Sequence, residues 1–143
     1  MEISFEQFKD TLERLERGEV RVAEKIDGKW VVNTWVKQTI LAGFGYGKVV
    51  DMSQGQFPFF DKDTFPVREF RAEDGVRIVP GGTSIRRGAY VAKGAIVMPP
   101  AYINVGAYVD EGTMVDSHAT IGSCAQVGKN IHISAATQIG GVL

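Results

Sequence analysis

Several side chains in the second half of this sequence carry groups that could bind a substrate or move a proton. A carboxylate can remove a proton from an attacking amine or orient that amine. A guanidinium can hold a substrate carboxylate through two parallel hydrogen bonds. An imidazole, whose pKa is close to neutral, can also act as a base. The candidates of these three types are Asp116 and Glu111, Arg77 and Arg86, and His118 and His132.

Residue type alone does not make any of these groups functional. Asp is common in turns, and an isolated arginine is usually a surface cation. Cys124 is the single cysteine of the chain and has no clear activating base nearby in the sequence. The spacing of Cys124 and the two histidines does not match a metal cluster. We therefore expect no metal site and no catalytic thiol.

The spacing of Val and Ile shows how the candidates are positioned. From Val79 to Ile139, a Val or Ile occurs at every sixth residue, eleven times in succession. The residue two places earlier is nearly always Ala or Thr. A period of six fits neither a lone helix nor a lone strand, and it predicts a parallel β-helix built from hexapeptides. The series is Val79, Ile85, Val91, Val97, Ile103, Val109, Val115, Ile121, Val127, Ile133 and Ile139.

In such a fold each hexapeptide forms one flat side of a triangular prism, and three sides form a coil of about 18 residues. The repeated aliphatics point inward and lie on their equivalents one coil away, at a strand spacing of about 4.8 Å. We expect about three and a half coils. Asp116 directly follows Val115, so we expect its side chain at a corner, facing a groove outside the prism. Glycines that suit a positive φ at corners are Gly88, Gly94, Gly106, Gly112, Gly122 and Gly128.

The first 75 residues have a different pattern, which predicts a small α/β domain and a linker (1–75) before the β-helix (76–143). Ser4 and Gln7 form a capping-box pattern at the start of a helix that runs from Phe5 toward Gly18. The alternating residues 20–26 and the return strand 30–32 flank Asp27-Gly28, a strong hairpin signal.

A second helix is expected from Asn33 or Thr34 to about Phe44. Aromatic residues and prolines over 45–75 show no clear period. This segment predicts a linker with short extended pieces that pack against the first coil.

The composition favours a cytoplasmic enzyme or scaffold. The net charge of −1 argues against nucleic acid or an anionic membrane as the main partner. No apolar stretch is long enough to span a bilayer, and the N-terminus is charged where a signal peptide would be apolar. A single cysteine suits a reducing compartment.

Three motifs in the repeat are more specific than its period. They are INVGAYVDEGTMVDS over 103–117, IGSCAQVGKN over 121–130 and QIGGVL over 138–143. With RVAEKIDG over 21–28, they resemble the tetrahydrodipicolinate N-succinyltransferase family of lysine and diaminopimelate synthesis. The resemblance covers roughly 18–44 and 76–143, and it implies that the prism is a left-handed parallel β-helix.

The resemblance also implies a reaction and a site. Members of this family transfer succinyl from succinyl-CoA to the nitrogen of tetrahydrodipicolinate, and the ring opens to N-succinyl-2-amino-6-oxopimelate. Succinyl-CoA is a cosubstrate, and no cofactor is permanently bound. The substrate-binding acid of the family falls on Asp116, which is also the catalytic candidate, and its substrate-binding arginine falls on Arg77. Arg86 and Glu111 are secondary candidates.

Members of the family are homotrimers with active sites in the grooves between neighbours. A second acidic residue, supplied by a neighbouring subunit, lies in the family beyond the point where this sequence stops. The sequence ends at Leu143 in the middle of the repeat. We therefore expect a fragment, or a chain whose end another chain covers, and no measurable turnover from these residues alone.

Two other functions fit the same pattern. A related hexapeptide acyltransferase would use acetyl-CoA, and such enzymes often rely on a histidine base. A non-catalytic prism would serve only to assemble a trimer. Asp116 and Arg77 together argue against the scaffold.

Overall fold

The structure is a computed structural model that describes residues 2–143. Helix α1 (Phe5–Glu16) begins at the predicted capping box: the Ser4 hydroxyl accepts the Gln7 N–H at 3.2 Å, and the Gln7 side chain accepts the Ser4 N–H at 2.8 Å. These two bonds satisfy N–H groups that a helix leaves without partners. The helix buries Phe8, Leu12 and Leu15.

The predicted hairpin and second helix follow. Strands β1 (Ala23–Ile26) and β2 (Lys29–Val32) pair antiparallel around Asp27-Gly28. The strand begins later than its alternating pattern suggested, since Val20 and Val22 are buried in the core instead. Helix α2 spans Thr34–Tyr46 and packs against α1.

Residues 47–76 connect this helical region to the β-helix. They contain a second antiparallel pair, β3 (Val49–Asp51) and β4 (Phe60–Lys62), and a short 3-10 helix over Ala72–Asp74. Phe65 is buried between the helices, and Phe70 packs against the β-helix core. The short extended pieces predicted for this segment are therefore present.

The hexad forms the predicted parallel β-helix. Each strand is two residues long, and its second residue points into the prism. Three parallel sheets form the faces: β5-β8-β11-β14, β6-β9-β12-β15 and β7-β10-β13. Their strands are β5 Arg77–Ile78, β6 Ser84–Ile85, β7 Tyr90–Val91, β8 Ile96–Val97, β9 Tyr102–Ile103, β10 Tyr108–Val109, β11 Met114–Val115, β12 Thr120–Ile121, β13 Gln126–Val127, β14 His132–Ile133 and β15 Gln138–Ile139.

The first member of the predicted aliphatic series is wrong by one residue. Ile78, and not Val79, pairs with Val97 and packs against the core. The spacing from Ile78 to Ile85 is seven residues because Gly81 and Gly82 lie in the intervening turn. The later pairs keep an eighteen-residue register, as Ile85 with Ile103 and Val97 with Val115.

Corner residues with positive φ recur three residues before every inward aliphatic except Ile103, where Pro100 holds that position. Gly88 and Gly106 take this conformation as predicted, but two of the predicted glycines, Gly122 and Gly128, do not. In those coils the positive φ falls on Cys124 and Asn130. Gly106 also has to be small, because an added Cβ would lie 2.9 Å from the Cys124 sulfur.

The helical region covers one corner of the prism. Val105 and Cys124, from successive coils, lie in one hydrophobic cluster with residues of α1 and α2. The Glu16 carboxylate accepts from the Arg87 guanidinium at 3.0 Å and from the Gly88 N–H at 2.9 Å. The Arg21 guanidinium stacks on the Tyr108 ring at 3.7 Å. Apolar burial, charge pairing and stacking thus fix the helical region to the β-helix.

Replacing one stacked aliphatic should measurably weaken the prism. Ile103 is fully buried between Ile85 and Ile121. We expect Ile103→Ala to lower the free energy of unfolding by about 2–5 kcal/mol. The substitution leaves a cavity between Ile85 and Ile121, and the stacked coils cannot move together to fill it. Urea unfolding followed by circular dichroism measures this loss.

The matched control is Tyr102→Ala, on the same strand but facing outward. Its expected cost is below about 1 kcal/mol, in the range of surface substitutions. Equal losses for the two variants would contradict the inward orientation of position 103.

Candidate active site

The candidate site lies on the outer side of the β-helix sheet β5-β8-β11-β14, which is called the first sheet below. Arg77, Ile96, Met114 and His132 occupy the same register on its four strands. Each is the first residue of its strand, so its side chain points away from the core. At a strand spacing of about 4.8 Å, the row from Arg77 to His132 spans about 14 Å. The row has an apolar middle and a polar group at each end.

Asp116 lies in the turn after β11 and contacts His132 of the next coil. The two side chains meet at 2.9 Å between Asp116 Oδ2 and His132 Nε2. The other oxygen of Asp116, Oδ1, accepts the Ser117 N–H at 2.7 Å. Both carboxylate oxygens are therefore engaged, and the pair lies beside Met114 at one end of the row.

These hydrogen bonds favour the ionised form of Asp116. The Ser117 N–H, and after it the His132 side chain, hold the pKa of the Asp116 carboxyl below its usual range. A group whose pKa is lower in the folded than in the unfolded state stabilises the fold above its unfolded pKa. That contribution is lost as the pH falls through the folded-state pKa.

Arg77 lies on the same sheet as this pair but does not contact it. The structure places Arg77 in the first coil and Asp116 in the third, with Ile96 between them. Two strand spacings and two residues along the strand put their Cα atoms about 12 Å apart. The Arg77 side chain is exposed. The two groups could therefore contact different parts of one ligand lying along the row.

Arg86, a secondary candidate, has structural partners. Its guanidinium donates to Asp61 Oδ2 at 2.7 Å, to Asn104 Oδ1 at 3.3 Å and to the Phe65 carbonyl at 3.4 Å. It also lies over the rings of Phe44 and Phe65. Only 15% of its side chain is exposed. Its charge is balanced by Asp61, and its contacts hold the linker on the prism.

Glu111, the other secondary candidate, forms an exposed ion pair. Its carboxylate accepts from Lys129 Nζ of the next coil at 2.9 Å. Glu111 lies in the turn before β11, whereas Asp116 lies in the turn after it. An ion pair in solvent stabilises a fold only slightly, and this one is at the far end of the strand from Asp116.

His118 and Cys124 both occupy corner positions with positive φ. The His118 N–H donates to the Pro100 carbonyl at 2.6 Å, and its own carbonyl accepts from Gln138. The structure buries the corner that carries Cys124 under the helical region. Burial raises the pKa of the Cys124 thiol to about 11, which keeps it protonated at neutral pH.

Sequence reasoning treated the carboxylate and the histidines as alternatives, but the structure places Asp116 and His132 together. The eighteen-residue length of a coil could have predicted this contact. A coil of eighteen residues puts His132 beside Met114, and Asp116 follows Met114 by two residues. Sixteen residues therefore separate two neighbouring outward groups.

Two further findings concern residues 2–143. No helix in this range is long and apolar enough to cross a membrane. No group of three or more His, Cys, Asp and Glu side chains within it could hold a metal ion.

Comparison with known proteins supports the resemblance. A sequence model of the family described as "Tetrahydrodipicolinate N-succinyltransferase N-terminal" matches residues 4–45. A protein of Acinetobacter baylyi named 2,3,4,5-tetrahydropyridine-2,6-dicarboxylate N-succinyltransferase is 48% identical over 139 residues, or 94% of this chain and 50% of that protein. The resemblance to the tetrahydrodipicolinate N-succinyltransferases is confirmed.

Two more proteins with the same name show the same relation. That of Haemophilus ducreyi is 46% identical over 136 residues, which are 92% of this chain and 49% of that protein. That of Methylococcus capsulatus is 51% identical over 86 residues, which are 57% of this chain and 31% of that protein. The chain spans about half the length, or less, of these N-succinyltransferase relatives.

The ionisation of Asp116 should depend on its neighbour. We expect His132→Ala to raise the pKa of the Asp116 carboxyl, because a hydrogen-bond donor is lost. The pKa should stay below its usual range, since the larger effect, the Ser117 N–H, remains. A pH titration of the Asp116 carboxyl carbon by NMR measures the change.

The control for this titration is His118→Asn. His118 is the other histidine of the chain and lies two residues from Asp116, and Asn tolerates its positive φ. It should leave the Asp116 pKa unchanged. An Asp116 pKa that does not respond to His132→Ala contradicts the described contact.

The buried thiol should react slowly. With a pKa of about 11, little of Cys124 is thiolate at pH 8. We expect iodoacetamide to alkylate the folded protein far more slowly than the urea-unfolded protein, as followed by mass spectrometry. Equal rates would show that the corner is open to solvent.

Proposed function

We propose that this protein transfers a succinyl group from succinyl-CoA to tetrahydrodipicolinate, as part of lysine and diaminopimelate synthesis. The observation that carries the proposal is the placement of Asp116, in the turn after β11 and bonded to His132, at one end of an outward row whose other end is the exposed Arg77. Relatives similar over more than nine-tenths of this chain bear the name of this activity.

The proposed roles follow from the chemistry of the acceptor. Tetrahydrodipicolinate carries two carboxylates and one ring nitrogen. Arg77 can hold one carboxylate through paired N–H groups. Asp116, in the turn at the other end of the row, can assist the reacting nitrogen as its base or help to orient it. Ile96 and Met114 lie between them and offer an apolar floor to the ring carbons.

The remaining parts of the proposal come from the resemblance. Succinyl-CoA is the cosubstrate, and no cofactor stays bound. The protein is a cytoplasmic homotrimer, and a neighbouring subunit supplies a second acid to the groove beside the first sheet. The division into 1–75 and 76–143 agrees with two hydrophobic clusters, although Val105 and Cys124 of the β-helix belong to the first. Arg86 and Glu111 stay outside the site because both are paired elsewhere.

The test is release of the CoA thiol by the protein expressed from its own reading frame. Release should require tetrahydrodipicolinate and should be faster with succinyl-CoA than with acetyl-CoA. Faster reaction with acetyl-CoA would favour a related acetyltransferase. Thiol release from neither donor would overturn the proposal.

Arg77→Gln should weaken use of the acceptor. Hydrogen bonds to a charged group contribute about 1.5–3 kcal/mol, so kcat/KM for the acceptor should fall about 10- to 150-fold, mainly through KM. The KM for succinyl-CoA should change little. Steady-state kinetics with each substrate varied in turn measures both values.

The matched control is Arg71→Gln, which removes another exposed arginine next to the short 3-10 helix. It should leave both KM values within about twofold of wild type, as a surface substitution away from the site. If the two variants behave alike, Arg77 has no part in acceptor binding.

A further inference from the structure

We propose that His132 is the proton acceptor of this site and that Asp116 acts through it, by binding and orienting the imidazole. This inference rests on the proposed acyl transfer and specifies which member of the pair receives the proton. The general alternative is that the carboxylate is the base and His132 only holds it in place.

The hydrogen bonds favour the imidazole. The carboxylate accepts the Ser117 N–H on Oδ1 at 2.7 Å and meets His132 Nε2 on Oδ2 at 2.9 Å. If Asp116 took a proton from an amine, it would lose the negative charge that strengthens both of these bonds. An ionised carboxylate at Nε2 instead favours the hydrogen on that nitrogen and leaves the lone pair on Nδ1.

The low basicity of Asp116 also argues against the carboxylate as the base. The hydrogen bonds of Asp116 hold the pKa of its carboxyl below the usual range, which makes the carboxylate a weak base at neutral pH. General-base catalysis is most effective when the pKa of the base lies near the working pH.

The exposure of the two side chains also favours His132 as the group that meets the substrate. The His132 side chain is 58% exposed, whereas that of Asp116 is 26% exposed. His132 also belongs to the outward row with Ile96 and Met114, while Asp116 lies in the turn beside it. A ligand lying along the row from Arg77 therefore meets the imidazole of His132, the last residue of the row.

The proton transfer can be written without another reagent. Addition of water to the C=N bond of the acceptor gives its nitrogen a hydrogen. That nitrogen attacks the thioester carbon, its proton moves to Nδ1 of His132, and the C–S bond breaks. The imidazolium then returns the proton to the departing CoA thiolate. Opening of the ring turns the added hydroxyl into the ketone and moves its proton to the new amide nitrogen.

His132→Gln separates a base from a positioning group. The amide nitrogen of Gln can replace Nε2–H and bind Asp116, but Gln has no basic nitrogen. A general base contributes about 10²- to 10⁴-fold, so we expect kcat to fall by at least about 100-fold. The KM for both substrates should change less than about threefold. The control, His118→Asn, should keep wild-type kcat.

The tautomer gives a readout that does not need turnover. The chain has two histidines, so ¹⁵N labelling of histidine yields two sets of ring signals. At pH 8 we expect the ring hydrogen of His132 on Nε2, with Nδ1 unprotonated. Asp116→Ala should shift the His132 ring signals toward those of a solvated imidazole and leave the His118 signals unchanged.

The outcomes are distinct. A His132→Gln enzyme that keeps kcat within a few-fold of wild type overturns the inference but not the proposed function. His132 with its hydrogen on Nδ1 also overturns it. If the wild-type protein releases no thiol from succinyl-CoA, the proposed function fails, and the tautomer alone then supports or overturns the orientation of His132 by Asp116.

Discussion

The stacking of inward Val and Ile side chains at a repeat of eighteen residues is the constraint on which the rest of this structure depends. Each coil buries its aliphatics against those of its neighbours, as Val97 does against Val115. Because each strand has only two residues, burying one fixes the other as outward. The row of Arg77, Ile96, Met114 and His132 is therefore a consequence of core packing, and so is the contact between Asp116 and His132.

The helical region depends on the same prism. Its cluster includes Val105 and Cys124, so two corners of the β-helix form part of the core of the N-terminal helices. Arg86 and Arg87, adjacent on one turn, reach opposite partners: Arg86 binds Asp61 of the linker, and Arg87 binds Glu16 at the end of α1. The first sheet, which carries the candidate site, lies away from this covered corner and stays accessible.

Much of the fold could be predicted from the sequence because it follows from short-range rules. The capping box at Ser4, the hairpin turn at Asp27-Gly28 and the hexad each need only neighbouring residues. The site was harder, because it depends on groups one coil apart. The position of Asp116 at a corner was predicted, but its pairing with His132 requires both the eighteen-residue register and the direction of the side chain. The sequence pattern also did not predict that Ile78, rather than Val79, points inward in the first coil. One extra residue in the turn near Gly81 shifts the six-residue period there, and nothing in the composition of that turn indicates the shift.

A pair of engineered cysteines tests the stacking register most directly. Ile96 and Met114 occupy matching outward positions on adjacent parallel strands, at a spacing of about 4.8 Å that suits a disulfide. We expect the Ile96→Cys/Met114→Cys protein to form this bond readily on oxidation. We expect the Ile96→Cys/Asp116→Cys protein, whose cysteines are two residues out of register, not to form it. Rapid bonding of the second pair and none of the first, seen by mass spectrometry of the digested protein, would contradict the placement of every outward residue described above.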